Sequence, residues 1–231
     1  AQTGSGILNT MDSLMQQADD LLKRAHTLTL QARNDTITPE ERKTIAAEIR
    51  QLREQMVLIG NSTYNGRYLF NGQKTDQPPY TSANAANEST DPGVFQLNVS
   101  PLVQVPVSIT GEKIFGEAGS DDNVFKIFDN LIDHLETNNT GALDDDVDKI
   151  LAASDRFSVQ RAEIGARANR FTLMESRIES NIVNLQTLRS NVADVDYADA
   201  ITQLQLKQNV FQAALATGAQ IMRVSLVDYI K

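Results

Sequence analysis

Phe157, Ile164, Phe171, Ile178, Leu185 and Val192 follow one another at intervals of seven residues without a miss. A large apolar side chain at every seventh position keeps one edge of an α-helix apolar over many turns. The same spacing fits no strand, because strand side chains switch faces at every residue. Ala168 and Ile182 fill two of the intervening seam positions, while Arg161, Glu175 and Arg189 occupy others. The pattern predicts a single helix over residues 143–192, roughly 75 Å long at 1.5 Å per residue. A chain committed to a helix of that length needs other long helices beside it to cover the seam.

Those helices are present in the sequence. From residue 6 to residue 32, Ile7, Met11, Leu14, Ala18, Leu21, Ala25, Leu28 and Ala32 alternate in steps of four and three, with Leu8, Met15 and Leu22 as a second stripe. Thr38-Pro39-Glu40-Glu41 then opens a second helix, since threonine caps, proline suits the first helical position and Glu41 completes a capping box. Its seam is Ile45, Ile49, Leu52, Met56 and Ile59. The loop of residues 33–37 is short enough to make the two helices antiparallel neighbours. A further helix from about Asp121 carries Val124, Phe128, Leu131 and Leu135 and is broken at Asn138-Asn139-Thr140-Gly141.

Proline divides the chain. Pro78, Pro79, Pro92, Pro101 and Pro106 cluster in residues 71–122, and the chain after Pro106 contains no proline. Interior proline breaks helices, so this segment is set apart from the helical remainder. Asn65-Gly66 is a tight-turn signal, and Tyr68 and Phe70 alternate after it as in a strand. Phe95, Leu97 and Val99 alternate with Gln96, Asn98 and Ser100, while Val103, Val105, Val107 and Ile109 alternate with Gln104, Pro106 and Ser108, and Pro106 suggests an edge position. The expected architecture is mainly α: an elongated antiparallel helical rod of long coiled-coil-like helices with a small β-rich insertion. Its parts are a discontinuous rod domain (1–70 and 123–193), an outward β-rich insertion (71–122) and a C-terminal helical assembly segment (194–231). The rod seam is represented by Leu14, Leu21, Leu28, Ile45, Ile49, Leu52, Ile164, Phe171, Ile178 and Leu185.

Chemistry-bearing patterns are sparse. The net charge of -9 and the lack of a Lys/Arg cluster argue against a nucleic-acid partner. Cysteine is absent, which removes disulfides, thiolate metal sites and thiol nucleophiles. His26 and His134 have no acidic or second histidine neighbour at metal-ligand spacing, so both read as surface or boundary residues. Asp144, Asp146 and Asp148 have the opening spacing of a calcium loop, but Lys149 stands where glycine is required and Asp155 where glutamate is. They read as an acidic first helical turn favoured by the helix dipole. Gly4-Ser5-Gly6 and Gly116-Glu117-Ala118-Gly119 lack a phosphate-loop lysine and its strand-to-helix setting. No catalytic site, metal or cofactor is expected.

The C-terminal segment is the exception. No charged residue occurs between Gln208 and Met222, and Val210, Phe211, Ala213, Ala214, Leu215, Ala216, Ala219, Ile221 and Met222 leave little of the helix polar. A helix apolar nearly all round is normally buried. This one stands at the end of the sequence and is too short and too amide-rich for a membrane span. It reads as a surface awaiting a partner, with Ile201, Leu204, Val210, Phe211, Ala214, Leu215, Ile221 and Met222 as its contacts.

Asn61-Ser62-Thr63-Tyr64, followed by Asn65-Gly66-Arg67-Tyr68-Leu69-Phe70-Asn71-Gly72, resembles the helix-to-hairpin junction of flagellin-like proteins. Asn65, Gly66, Tyr68 and Phe70 are its marker residues. The run from Asp196-Tyr197-Ala198 through Ala213-Ala214-Leu215-Ala216-Thr217-Gly218-Ala219 to Ser225-Leu226-Val227-Asp228-Tyr229 is similar to the C-terminal end of the junction branch of that family. Residues 71–122 carry no likeness. The resemblance implies a non-enzymatic subunit exported unfolded, without a cleaved signal peptide, to the extracellular flagellum. It implies a ring of identical subunits between hook-associated protein 1 on the hook side and flagellin on the filament side. It also implies an export chaperone at residues 194–231. The likeness starts inside the family's first rod helix, so a truncated N-terminus is expected. The alternatives are a flagellin filament subunit and, more remotely, a generic coiled-coil binding module. Helix seams sliding in small steps offer a way to absorb bending.

Overall fold

The computed structural model describes residues 2–100, 103–193 and 197–228, with side chains for all of these except 2, 99, 100, 103, 193 and 222–228. Its elements are α1 (Gln2–Ala32), α2 (Pro39–Gly60), β1 (Thr63–Tyr64), β2 (Arg67–Tyr68), β3 (Gln96–Ser100), β4 (Val103–Pro106), α3 (Gly111–Phe115), α4 (Val124–Glu136), α5 (Leu143–Ala193) and α6 (Tyr197–Asp228). The fold is mainly helical, with long helices and small two-stranded sheets. It forms two compact units, Ala1–Ser176 and Arg177–Lys231.

Local chemistry sets the helix ends in the first unit. Thr38 Oγ1 accepts from the Glu41 N–H at 3.3 Å, and Glu41 Oε2 accepts from the Thr38 N–H at 2.8 Å, closing the capping box ahead of α2. The Thr38 N–H and the Thr38 hydroxyl both donate to the Glu41 carboxylate and hold it below its ordinary range. Helix α4 starts at Val124 rather than Asp121, because Asn123 Oδ1 accepts from the N–H groups of Phe125 and Lys126. The buried Arg42 closes the other end of the bundle. Its guanidinium donates to Ala32 O at the end of α1, to Asn34 O and to Asn138 Oδ1, tying both interhelical turns together.

Cross-helix contacts fix the directions. Arg53 Nε lies 2.5 Å from Asp129 Oδ1, and Arg50 pairs with Glu136 at 2.6 Å, so α2 and α4 run antiparallel. Between α1 and α5, Asp19 Oδ1 accepts from Ser154 Oγ at 2.5 Å, Arg161 meets Asp12 at 3.1 Å and Arg33 meets Asp144 at 2.6 Å. A Cβ on Gly4 would stand 2.6 Å from the Phe171 ring. Positions therefore rise along α1 as they fall along α5, an antiparallel pair held in one register.

The covered stripe of α1 is broader than its seam. Leu8, Met15 and Leu22 are fully buried with Met11, Ala18 and Ala25, whereas Leu14 and Leu21 are half-buried. The reason is that α1 packs on α2 and α5 together, so the protected strip lies between those two contacts.

Residues 71–122 belong to the same compact unit as the helices around them. Their regular structure is the antiparallel β3–β4 hairpin, a 3-10 turn at Ala85–Asn87 and the short helix α3. Leu97 faces Val105, and the ladder stops at Pro106, apart from one further bond from the Val107 N–H to Phe95 O at 2.9 Å. Val107 and Ile109 then leave the strand and are buried. Phe115 anchors the segment to the helices, with its ring 5.6 Å from Phe70, 5.5 Å from Tyr80, 5.3 Å from Phe125 and 5.7 Å from Phe157. Tyr80 in turn lies across the end of α2, where a Cβ on Gly60 would come within 2.7 Å of it. Burial pushes the Tyr80 phenol far above its usual range.

Candidate assembly surface

The seven-residue repeat of α5 divides into a covered and an uncovered part. Phe157, Ile164 and Phe171 are fully buried in the first unit. In the second unit Ile178 is 38% exposed, Leu185 65% and Val192 88%. The spacing is unbroken across the change, so the loss of cover reflects the absence of neighbours and not a change in the helix. Within the second unit, none of the described side chains on α6 is buried. Ile201, Leu204, Val210, Phe211, Ala214, Leu215 and Ile221 are all exposed. The Met222 side chain and residues 194–196 and 229–231 lie outside the described residues. So much large apolar surface on one helix exceeds the scattered exposure normal for a soluble chain. No described helix is long and apolar enough to cross a membrane.

The helix-to-hairpin junction is built from a two-residue turn. Thr63 pairs with Tyr68 and Tyr64 with Arg67, leaving Asn65 and Gly66 to turn the chain at φ values of 50° and 75°. Those left-handed angles are what an Asn-Gly turn between twisted strands requires. Tyr68 is half-buried and Phe70 fully buried, but Phe70 lies beyond the end of β2. Tyr64 packs over the first turns of α1, where a Cβ on Gly6 would stand 2.3 Å from its hydroxyl. The hairpin, the start of α1 and the β3–β4 hairpin line a half-open apolar cavity of about 260 Å³. Ile7, Tyr64, Tyr68, Phe95, Leu97 and Val107 supply much of its apolar lining.

Some polar groups are placed by packing rather than by sequence spacing. His134 has an acidic neighbour after all: its Nδ1 lies 2.8 Å from Asp146 Oδ2, brought across the turn between α4 and α5. Asp146 is 1% exposed, so it is not simply one of a solvated acidic turn with Asp144 and Asp145. Burial raises its carboxyl above the usual range, and His134 opposes that shift. No local motif could have revealed the pair, because its members are twelve residues apart on different helices. Arg156 is a second such case. It donates to Ile114 O and Asp122 O and pairs with the Asp122 carboxylate at 2.9 Å, satisfying the carbonyl end of α3. Burial lowers its guanidinium below the usual range. Among the described residues no group of three or more His, Cys, Asp or Glu side chains is placed to hold a metal ion.

The described elements are long helices, a tight hairpin after the second of them and an uncovered apolar helix, α6, an architecture of helical structural type. The bacterial flagellin N-terminal helical region matches residues 1–75, and the bacterial flagellin C-terminal helical region matches residues 147–230. The chain belongs to the flagellin family and is a structural component of the bacterial flagellum, not an enzyme. It is 25% identical to flagellar hook-associated protein 3 of Salmonella typhimurium over 238 residues, covering 93% of this chain and 74% of that protein. It is 27% identical to a Bacillus subtilis flagellin over 237 residues, covering 95% of this chain and 74% of that one. The fold matches the structure of a putative flagellar hook-associated protein from Vibrio parahaemolyticus with a TM-score of 0.75 at 21% identity, over 82% of this chain and 87% of that one.

Proposed function

We propose that the chain forms the junction layer between the hook and the flagellin filament. Hook-associated protein 1 is the neighbour on the hook side, flagellin the neighbour on the filament side, and identical subunits complete a ring. The subunit is exported unfolded without a cleaved signal peptide and assembles outside the cell, with residues 71–122 facing outward. Ile201, Leu204, Val210, Phe211, Ala214, Leu215, Ile221 and Met222 carry the assembly contacts, and an export chaperone covers the same segment, 194–231, beforehand. The helix-to-hairpin junction at Asn65, Gly66, Tyr68 and Phe70 hands the chain from the rod to the insertion.

The uncovered apolar surface of α6 carries this reading, because such a helix is stable only against other helices. The second reading is a flagellin filament subunit, favoured by the similarity to the Bacillus subtilis protein. Deletion of the gene separates the two. A junction subunit leaves intact hooks, no filaments and flagellin shed into the medium. Bare hooks with no flagellin in the medium point instead to the filament subunit. Purified protein gives a second discriminator: a junction subunit adds one layer to a seed and stops, whereas flagellin propagates.

A further inference from the structure

Residues 65–72 hold two Asn-Gly steps in opposite environments. Asn65 and Gly66 are both exposed at the tip of the β1–β2 turn. Among the described residues no hydrogen bond holds the Asn65 amide, and the Gly66 N–H has no backbone acceptor. A Cβ at Gly66 would meet nothing within 4 Å. Asn71, in contrast, is buried, donates from Nδ2 to Gln77 O at 3.1 Å and accepts from the Asp91 N–H at 3.1 Å. Its partner Gly72 is wedged so tightly that a Cβ would stand 2.2 Å from Asp91 O.

We propose that Asn65-Gly66 is a site of spontaneous covalent self-modification and that Asn71-Gly72 is protected from it. The Gly66 backbone nitrogen attacks Asn65 Cγ. The N–Cγ bond forms, the Cγ–Nδ2 bond breaks, and ammonia leaves with the proton given up by the Gly66 N–H. Water then opens the five-membered succinimide at one of its two carbonyls. Opening at Cγ gives aspartate, and opening at the main-chain carbonyl gives isoaspartate, with the backbone running through Cβ and Cγ. One water is consumed and one ammonia released, and no oxidant or cofactor takes part. Glycine as the following residue matters because no Cβ obstructs the approach of its nitrogen. At Asn71 the same attack requires two hydrogen bonds to open and Gly72 to leave its packing against the chain.

The isoaspartate product lengthens the backbone inside a two-residue turn. The pairing of Tyr64 with Arg67 depends on that turn length. Tyr64 also holds the hairpin on α1 at Gly6. Modification at Asn65 therefore loosens the hairpin from the helix, and it places a carboxylate beside Arg67 at the lip of the apolar cavity. Incubation of the folded chain in mildly alkaline buffer, followed by peptide mass spectrometry, tests the proposal. The Asn65 peptide is expected to become acidic and to split into two isomers roughly tenfold or more faster than the Asn71 peptide, the factor that opening two hydrogen bonds imposes. In denaturant the two rates are expected to converge. An Asn71 peptide that keeps pace in the folded chain, or an Asn65 peptide that stays intact, overturns the assignment. Hydrogen exchange at Tyr64 and Arg67 tests the consequence. It is expected to quicken in the isoaspartate fraction but not in an Asn65→Asp variant, and equal protection in both overturns the loosening.

Discussion

Phe115 is the residue on which the first unit turns. Its ring meets rings from the junction, the insertion, α4 and α5. Phe115→Ala leaves a cavity among them and is expected to cost about 3–5 kcal/mol, read from denaturant unfolding of the full chain. Asp146 sets a pH dependence whose sign follows from its burial. Its folded-state carboxyl titrates above the ordinary value, so the folded chain holds that proton more tightly than the unfolded chain. Stability from this group therefore rises as pH falls through the raised value towards the ordinary aspartate range. The wild-type chain is expected to gain on an Asp146→Asn variant over that window, measured as the difference in melting temperature across a pH series. Glu41 acts in the opposite sense. Its lowered carboxyl contributes to the α2 cap above the ordinary glutamate range and loses that contribution as pH falls through its folded-state value.

Elements are closed by their caps, and that is where sequence and structure can be compared most directly. Asn123 holds the start of α4 with its carbonyl oxygen and the end of α3 with its amide, which donates to Gly116 O at 3.1 Å. Asn123→Ala is expected to cost about 1–2 kcal/mol, with early loss of the α3–α4 amides in hydrogen exchange. The capping box at Thr38 and Glu41 was legible because all of its partners lie within four consecutive residues. The long run of α5 was legible because seven-residue spacing survives any detail of packing. Asn123 was not, because a single asparagine before an apolar run is a weak signal beside the acidic pair Asp121 and Asp122. The helix α3 was hidden for a related reason: five residues carry too little periodicity to register. The two stripes of α1 were both visible, but which lies deeper depends on where α2 and α5 press, and that is not a property of α1 alone. On α6 the missing charges marked an apolar surface, and the structure leaves that surface uncovered. The covalent liability at Asn65 needed coordinates, since the sequence writes Asn65-Gly66 and Asn71-Gly72 alike.

At the scale of the whole molecule, stability and the proposed assembly contacts rest on different residues. The buried core ends with Phe171, whereas the proposed contacts all lie on α6. Phe211→Asp with Leu215→Asp is therefore expected to leave the melting of the first unit unchanged, within about 0.5 kcal/mol, while abolishing complementation of a deletion strain. A variant that melts early as well would mean that α6 stabilises the fold as well as joining subunits. The contacts between α1 and α5 bear on mechanics. A slip of one heptad in one direction sets Asp12 against Ala168, and in the other it sets Asp19 against Val147. The first breaks the Asp12–Arg161 pair and the second the Asp19–Ser154 bond, while Lys23 on α1 keeps Asp19 paired in either register. The register of this pair is therefore set by polar contacts as well as by the apolar seam. The two helices are keyed to one another, and a change of register has to break these polar bonds as well as repack the seam.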